Sequence, residues 1–182
     1  GVKSTVLNKS FRFGPEVAEV ANNVLAWFSG ARIEGAGKPS TIGEVSVPDA
    51  VLTRTNGTAM ARALGFIRSG KTVAMSENLV AGLRGFARAA SDLQEKGWTD
   101  HSDLAPFTSW GDVQRYVEDD AAGADIKTLV DLVDEHGPDK LLDVLDTIRP
   151  PGDGDVTVVT VHTSKGLEFP KVVLEGDFPN DV

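Results

Sequence analysis

The sequence contains no cysteine, which excludes disulfides and thiolate-bound metals. It has only three histidines, His101, His136 and His162, scattered along 182 residues, so no metal site is expected. No apolar run approaches the roughly 20 residues that span a bilayer. The opening stretch GVKSTVLNKS lacks the apolar segment of a signal peptide, so a cytoplasmic chain with no membrane contact is expected. An excess of positive charge is missing too: the formal net charge is −9. Proteins that coat nucleic acid without sequence preference carry a basic surface to neutralise phosphates. Any nucleic-acid contact here must come from a few placed residues, with other domains supplying most of the charge.

What is present suffices for a folded domain. The apolar fraction is 41% and the charged fraction 25%, enough for one core and a small inserted subdomain. Val2 to Leu7 is strand-like. Pro15 suits the first turn of a helix, where its missing N–H would be unpaired anyway. Val17, Val20, Ala21, Val24, Leu25 and Phe28 follow at spacings of three and four, one apolar helix face ending at Ser29-Gly30. Residues 31–44 predict a loop or an irregular strand pair. Ala50-Val51-Leu52 predicts a second strand, Asn56-Gly57 a turn, and Thr58 the cap of a helix carrying Met60, Leu64 and Ile67. Thr72 to Met75 predicts a third strand, completing a strand–helix–strand unit of a parallel sheet.

Residues 76–155 show helical spacing only: Leu79, Leu83, Phe86, Ala90 and Leu93, then Ile126, Leu129, Val130 and Val133, then Leu141, Leu145 and Ile148. This stretch is expected to be an all-helical insertion packed largely on itself, ended by the linker Pro150 to Gly154. Val156 to Val161 is nearly continuous and β-branched, as in a central strand covered on both faces. A last strand is expected at Val172-Val173-Leu174. Three polar clusters follow strands directly: Ser10-Phe11-Arg12, Arg54-Thr55-Asn56 and His162-Thr163-Ser164-Lys165. Parallel strands would bring all three to one edge, where open α/β sheets bind ligands.

Gly65 to Thr72 matches the phosphate-binding pattern G-x-x-x-x-G-K-[ST] letter for letter. That chemistry needs a strand before the loop and a helix after it, so that backbone N–H groups face the phosphates. Here a helical pattern precedes and a strand pattern follows. A self-contained nucleotide hydrolase using Lys71 is therefore the weaker reading, and a non-enzymatic interaction module is another alternative.

Thr160-Val161-His162-Thr163-Ser164-Lys165-Gly166-Leu167-Glu168-Phe169 resembles motif V of the UvrD, Rep and PcrA helicases. Leu7-Asn8-Lys9-Ser10-Phe11-Arg12, running on to Ala21-Asn22, resembles motif IV, and Ala50 to Asn56 resembles motif IVa. Ser10, Phe11 and Phe13 stand where the family usually has Asn, Tyr and Ser, and this S-F-R-F-G form is closest to the branch containing the F-box DNA helicases.

The resemblance implies a RecA-like α/β fold, a parallel sheet flanked by helices with an all-helical insertion. Residues 1–75 would be its first part, 76–155 a reduced insertion in the 2B position, and 156–182 its second part. It also implies an ATP-dependent DNA helicase. Within it, this chain would be the C-terminal motor-domain fragment, inactive alone, with the N-terminal RecA-like domain of the same polypeptide and single-stranded DNA as partners. ATP and Mg²⁺ would be held mainly by that N-terminal domain. Arg12 would be the catalytic arginine finger, its fixed charge suited to a transferring phosphoryl group. Phe11, Gly166 and Glu168 would join it at the nucleotide. Thr55, Asn56, Thr160, His162, Thr163 and Lys165 would line the DNA path.

Overall fold

The computed structural model describes residues 8–178; the strand expected at Val2 to Leu7 lies outside them. Two compact units emerge, one up to Ser46 and one over Val47–Phe178.

In the first unit, β1 (Lys9–Ser10) leads into α1 (Pro15–Phe28), and β2 (Glu34–Gly35) pairs with β1 in parallel. The helix starts at the expected proline and ends at Ser29, whose N–H donates to the Leu25 carbonyl. Its apolar stripe is only partly used. Val17, Ala21 and Leu25 are half-buried, while Val20, Val24 and Phe28 are about half exposed or more. Periodicity foretold the helix, but not that this face would stay open.

In the second unit, β3 (Ala50–Thr53), β4 (Val73–Ala74), β5 (Val156–Thr160) and β6 (Val172–Leu174) form one parallel sheet in the order β4-β5-β3-β6. Between β3 and β4 runs α2 (Asn56–Arg68). Between β4 and β5 come α3 (Glu77–Lys96), α4 (Trp110–Asp119), a short 3₁₀ turn, α5 (Ala124–His136) and α6 (Pro138–Asp146). This is a mixed α/β fold with parallel strands and flanking helices, consistent with a RecA-like domain. Among the described residues, no helix is long and apolar enough to cross a membrane.

The helix start at α2 corrects one expectation. Asn56-Gly57 is no turn, and Thr58 is no cap. Thr55 is the N-cap, its hydroxyl accepting the Thr58 N–H at 3.1 Å, so Asn56 and Gly57 form the first helical turn. Asn-Gly is a turn signal between antiparallel strands, but here the chain must climb over a parallel sheet. Gly57 serves close packing instead: a Cβ there would stand 2.7 Å from the Thr128 side chain on α5. A further helix, α4, had no counterpart in the expected pattern, although Trp110, Val113 and Val117 sit at helical spacing and are buried.

The helices share their core with the sheet. One apolar cluster contains Val51 of β3, Val156 and Val158 of β5, Met60 and Leu64 of α2, Leu79, Phe86 and Leu93 of α3, and Val130 and Leu141 further out. α2 packs on the strands, α5 against α2, and α6 against α3. The chain also meets the sheet margin before the linker ends, since the Arg149 N–H donates to the Val73 carbonyl and the Met75 N–H donates to that of Arg149. Packing thus divides the chain near residue 46, whereas the sequence pattern changes at 76 and 156.

Excising 76–155, with Met75 joined to Val156 through a short Gly/Ser linker, would strip this cluster of its largest side chains. Such truncations cost about 2–5 kcal/mol for each core residue lost, comparable in sum to a whole domain's stability. The expected product shows no cooperative thermal melt. A soluble product with a sharp transition would establish the helices as a separable body.

Candidate nucleotide and nucleic-acid site

The parallel register decides which loops meet. Thr53 of β3 pairs with Thr160 of β5, so both strands end at the same level on neighbouring tracks. The Val161 N–H donates to the Thr53 carbonyl at 3.0 Å and carries the pairing one step past the strand. The loop starting at Arg54 and the loop starting at Val161 therefore lie side by side. β6 ends on the other side of β3, adding Glu175, Gly176 and Asp177 to this edge.

The loop after β5 is held mostly by itself. The Thr163 hydroxyl donates to the Thr160 carbonyl at 3.0 Å and lies 2.9 Å from the Thr160 hydroxyl. The Ser164 hydroxyl donates to the Val161 carbonyl, the Ser164 N–H to that of Thr160, and the Leu167 N–H to that of Ser164. Gly166 sits at φ +87°, a conformation that strains any residue with a Cβ. This tight turn leaves His162, Lys165 and Glu168 exposed, while Thr160 is buried.

The neighbouring loop is held by a residue that sequence reasoning missed. The Asp177 carboxylate accepts the backbone N–H of Arg54 at 3.0 Å and of Thr55 at 2.9 Å, and lies 3.3 Å from the Thr55 hydroxyl. Arg54 replies with its Nε–H to the Asp177 carbonyl and with Nη2 to Asp125 at 2.8 Å. Burial alone would raise the Asp177 pKa, but the backbone donors of Arg54 and Thr55 and the hydroxyls of Thr58 and Thr55 outweigh it and hold it below the usual carboxylate value. Thr55 is thus committed to capping and to this anchor, and Asn56 is exposed on the first turn of α2. Applying the strand-end rule to β6 as well would have found Asp177.

Of the expected site residues, Thr55, Asn56, Thr160, His162, Thr163 and Lys165 share this edge. Glu168 lines a cleft of about 320 Å³ with Phe169, Thr157, Val159 and Asp155. Phe11 and Arg12 belong to the first unit. β1 carries them in its own two-stranded sheet with β2, so the three clusters expected along one sheet edge reduce to two. Both side chains are exposed, and the Lys9 ammonium lies 6.0 Å from the Phe11 ring centre. Asn22 braces this unit, its side chain donating to the Ile33 carbonyl and accepting the Ile33 N–H. No three carboxylates or histidines converge to hold a metal ion among the described residues.

The phosphate-loop lookalike has a different use. Gly65 to Arg68 is the end of α2, Gly70 turns the chain at φ +80°, and β4 follows. Helix precedes strand, the reverse of what phosphate binding requires. The Thr72 N–H and hydroxyl both donate to one Asp155 oxygen at 2.8 Å, and the Asp155 N–H donates to the Thr72 hydroxyl at 3.0 Å. The Thr72 N–H foremost, then its hydroxyl and the Lys71 charge, hold the Asp155 carboxyl below its ordinary value. The motif's threonine ties the start of β5 to β4.

Carboxyls with lowered folded-state pKa contribute stability above their unfolded value, about 4, and lose it as pH falls through the folded value. The melting temperature should therefore drop on acidification below about pH 4, and Asp177→Asn should lower it at neutral pH and reduce that acid dependence. An unchanged profile in Asp177→Asn would show the anchor contributes nothing.

No family model matches the chain, and no solved structure does. The chain is similar to F-box DNA helicase protein 1 of Schizosaccharomyces pombe (strain 972 / ATCC 24843), 26% identical over 206 residues, covering 97% of this chain and 23% of that protein. It spans about a quarter of that relative's length. The similarity supports a relationship to DNA helicases.

Proposed function

We propose that this chain is the second motor module of an ATP-dependent, UvrD-type superfamily 1 DNA helicase. In this reading it contributes an arginine finger, Arg12, to an ATP site held mainly by a partner RecA-like domain, which also supplies the Mg²⁺ ligands. Phe11 stacks on the base, and Glu168 with the Gly166 turn faces the nucleotide. His162, Lys165, Thr160 and Thr163, with Asn56 and Thr55 beside them, form part of the single-stranded DNA track.

The observation that carries this reading is the shared edge. A ten-residue segment resembling motif V follows the central strand, at the carboxyl ends of parallel strands where α/β sheets bind ligands, in a chain similar to a DNA helicase. The residue chemistry agrees. His162 and Lys165 are exposed on a turn held by its own hydroxyls, and contacts to phosphate and sugar suit binding without sequence preference. Few such groups in a chain of charge −9 imply weak affinity by this module alone. Closing of a cleft between two such modules around ATP would alternate their grip on the strand.

In the whole helicase, Arg12→Ala should leave ATP binding nearly intact and reduce hydrolysis by about 10³, the scale of arginine fingers. Lys71→Ala should change neither. Normal turnover in Arg12→Ala, or lost turnover in Lys71→Ala, would sink this assignment. His162→Ala should reduce DNA-stimulated hydrolysis more than basal hydrolysis, since one lost hydrogen bond is worth about 1 kcal/mol of strand binding. Equal loss of both would mark His162 as a residue that shapes the loop.

A further inference from the structure

We propose that Gly35 and Gly37, backed by Ser40, form a main-chain clamp that positions Phe11 and Arg12; the inference rests on reading those two residues as nucleotide contacts. β1 is only two residues long, and Phe11 behind it is 76% exposed. So short a strand has little to fix the turn that follows it. Within the turn the Ser10 hydroxyl accepts the Arg12 N–H at 3.3 Å, and the opposing segment adds main-chain bonds. The Glu34 N–H donates to the Asn8 carbonyl at 2.6 Å, the Ala36 N–H to that of Ser10 at 2.7 Å, and the Gly37 N–H to that of Phe13 at 2.9 Å. These bonds hold the main chain on both sides of Phe11 and Arg12.

The two segments approach so closely that side chains are excluded. A Cβ on Gly37 would stand 2.7 Å from the Phe11 carbonyl oxygen and 2.8 Å from the Phe13 nitrogen and oxygen. One on Gly35 would stand 2.2 Å from the Gly14 oxygen. All of these are backbone atoms and cannot rotate aside. Neither glycine has positive φ, so space, not backbone conformation, demands glycine here. Gly14 locks the far side: its N–H donates to the Ser40 hydroxyl at 3.1 Å, and the Ser40 N–H donates to Glu16 at 2.9 Å. A methyl group on Gly43, nearby in sequence, would meet only open space, so that glycine has no such duty.

A group aimed at a transferring phosphoryl loses about 10²-fold in rate when displaced by about 1 Å. Gly37 and Gly35 are positioning residues in this sense. The test is ATP turnover with single-stranded DNA by the whole helicase carrying Gly37→Ala, Gly43→Ala, Arg12→Ala, or Gly37→Ala with Arg12→Ala. Gly37→Ala should lower kcat about tenfold or more, and Gly43→Ala should leave it unchanged. The double variant should be no slower than Arg12→Ala, because an alignment already lost cannot be lost again. If Arg12→Ala is impaired while Gly37→Ala turns over normally, the clamp is refuted and the finger stands. If Arg12→Ala is itself normal, the finger reading falls and the clamp with it. Fully additive losses would show that Gly37 acts elsewhere, and would also overturn the clamp. Should Gly37→Ala not fold, Ser40→Ala removes the acceptor for Gly14 and the hydroxyl's own bond to the Lys38 carbonyl at 3.4 Å while sparing the Ser40 N–H bond to Glu16: a several-fold lower kcat at unchanged melting temperature supports the clamp, and an unchanged kcat refutes it.

Discussion

The parallel register between β3 and β5 is the constraint on which the second unit depends. The two strands are separated in sequence by α2, β4 and the whole helical stretch, yet Ala50 lies opposite Thr157 and Thr53 opposite Thr160. Parallel neighbours cannot be joined by a tight turn, so the intervening chain must cross the sheet and return. It does so as helices, and their apolar faces meet Val51, Val156 and Val158 on one side of the sheet. A slip of one residue would turn Val158 away from that cluster and move the loop after β5 out of step with the loop after β3. Core packing and site geometry are therefore set by the same pairing.

That pairing would mean little if the loops beyond it were slack. Each is secured by a different economy of polar groups. The loop after β5 uses its own hydroxyls on its own carbonyls, which leaves His162 and Lys165 exposed beside the turn. The loop after β3 borrows a carboxylate from the segment after β6, and Asp177 covers N–H groups that the start of α2 leaves without helical partners. At the opposite end of the sheet Asp155 does similar work for Thr72. Asp177 and Asp155 thus act as internal acceptors for backbone donors.

The sequence was legible where a pattern is local. Leu79 through Leu93 at helical spacing became α3 with every expected residue buried, and the β-branched run at 156 became the central strand. Legibility failed where distant chain segments decide. Thr55 and not Thr58 caps α2, its loop held by Asp177 from the distant segment after β6, and Gly57 in the first helical turn leaves room for Thr128 of α5. α1 and α3 both carry a periodic apolar stripe, yet that of α3 is buried and that of α1 largely exposed, a difference that periodicity does not encode. At the site, the motif-like residues after β3 and β5 were visible as polar letters following apolar runs. Asp177 follows the apolar run of β6 in the same way, but which loop it anchors is decided by β6 lying beside β3, and no local spacing gives that pairing.

The eight residues from Gly65 to Thr72 show why chain direction outranks composition. A phosphate cradle works because a strand delivers the chain to a glycine-rich turn whose N–H groups, continued by a helix N-terminus, converge on an anion. Reverse the order and the same letters present the C-terminal end of a helix, where carbonyls and the negative end of the dipole lie. Thr72 then bonds to Asp155, whose pKa the Lys71 charge also helps to lower, and the glycine at φ +80° closes α2. An anion would meet unfavourable carbonyl dipoles at one side and a lowered-pKa carboxylate at the other. The polar groups of Thr72 are used in joining β4 to β5, so the most familiar-looking motif in the chain serves its sheet and is not built as a phosphate cradle.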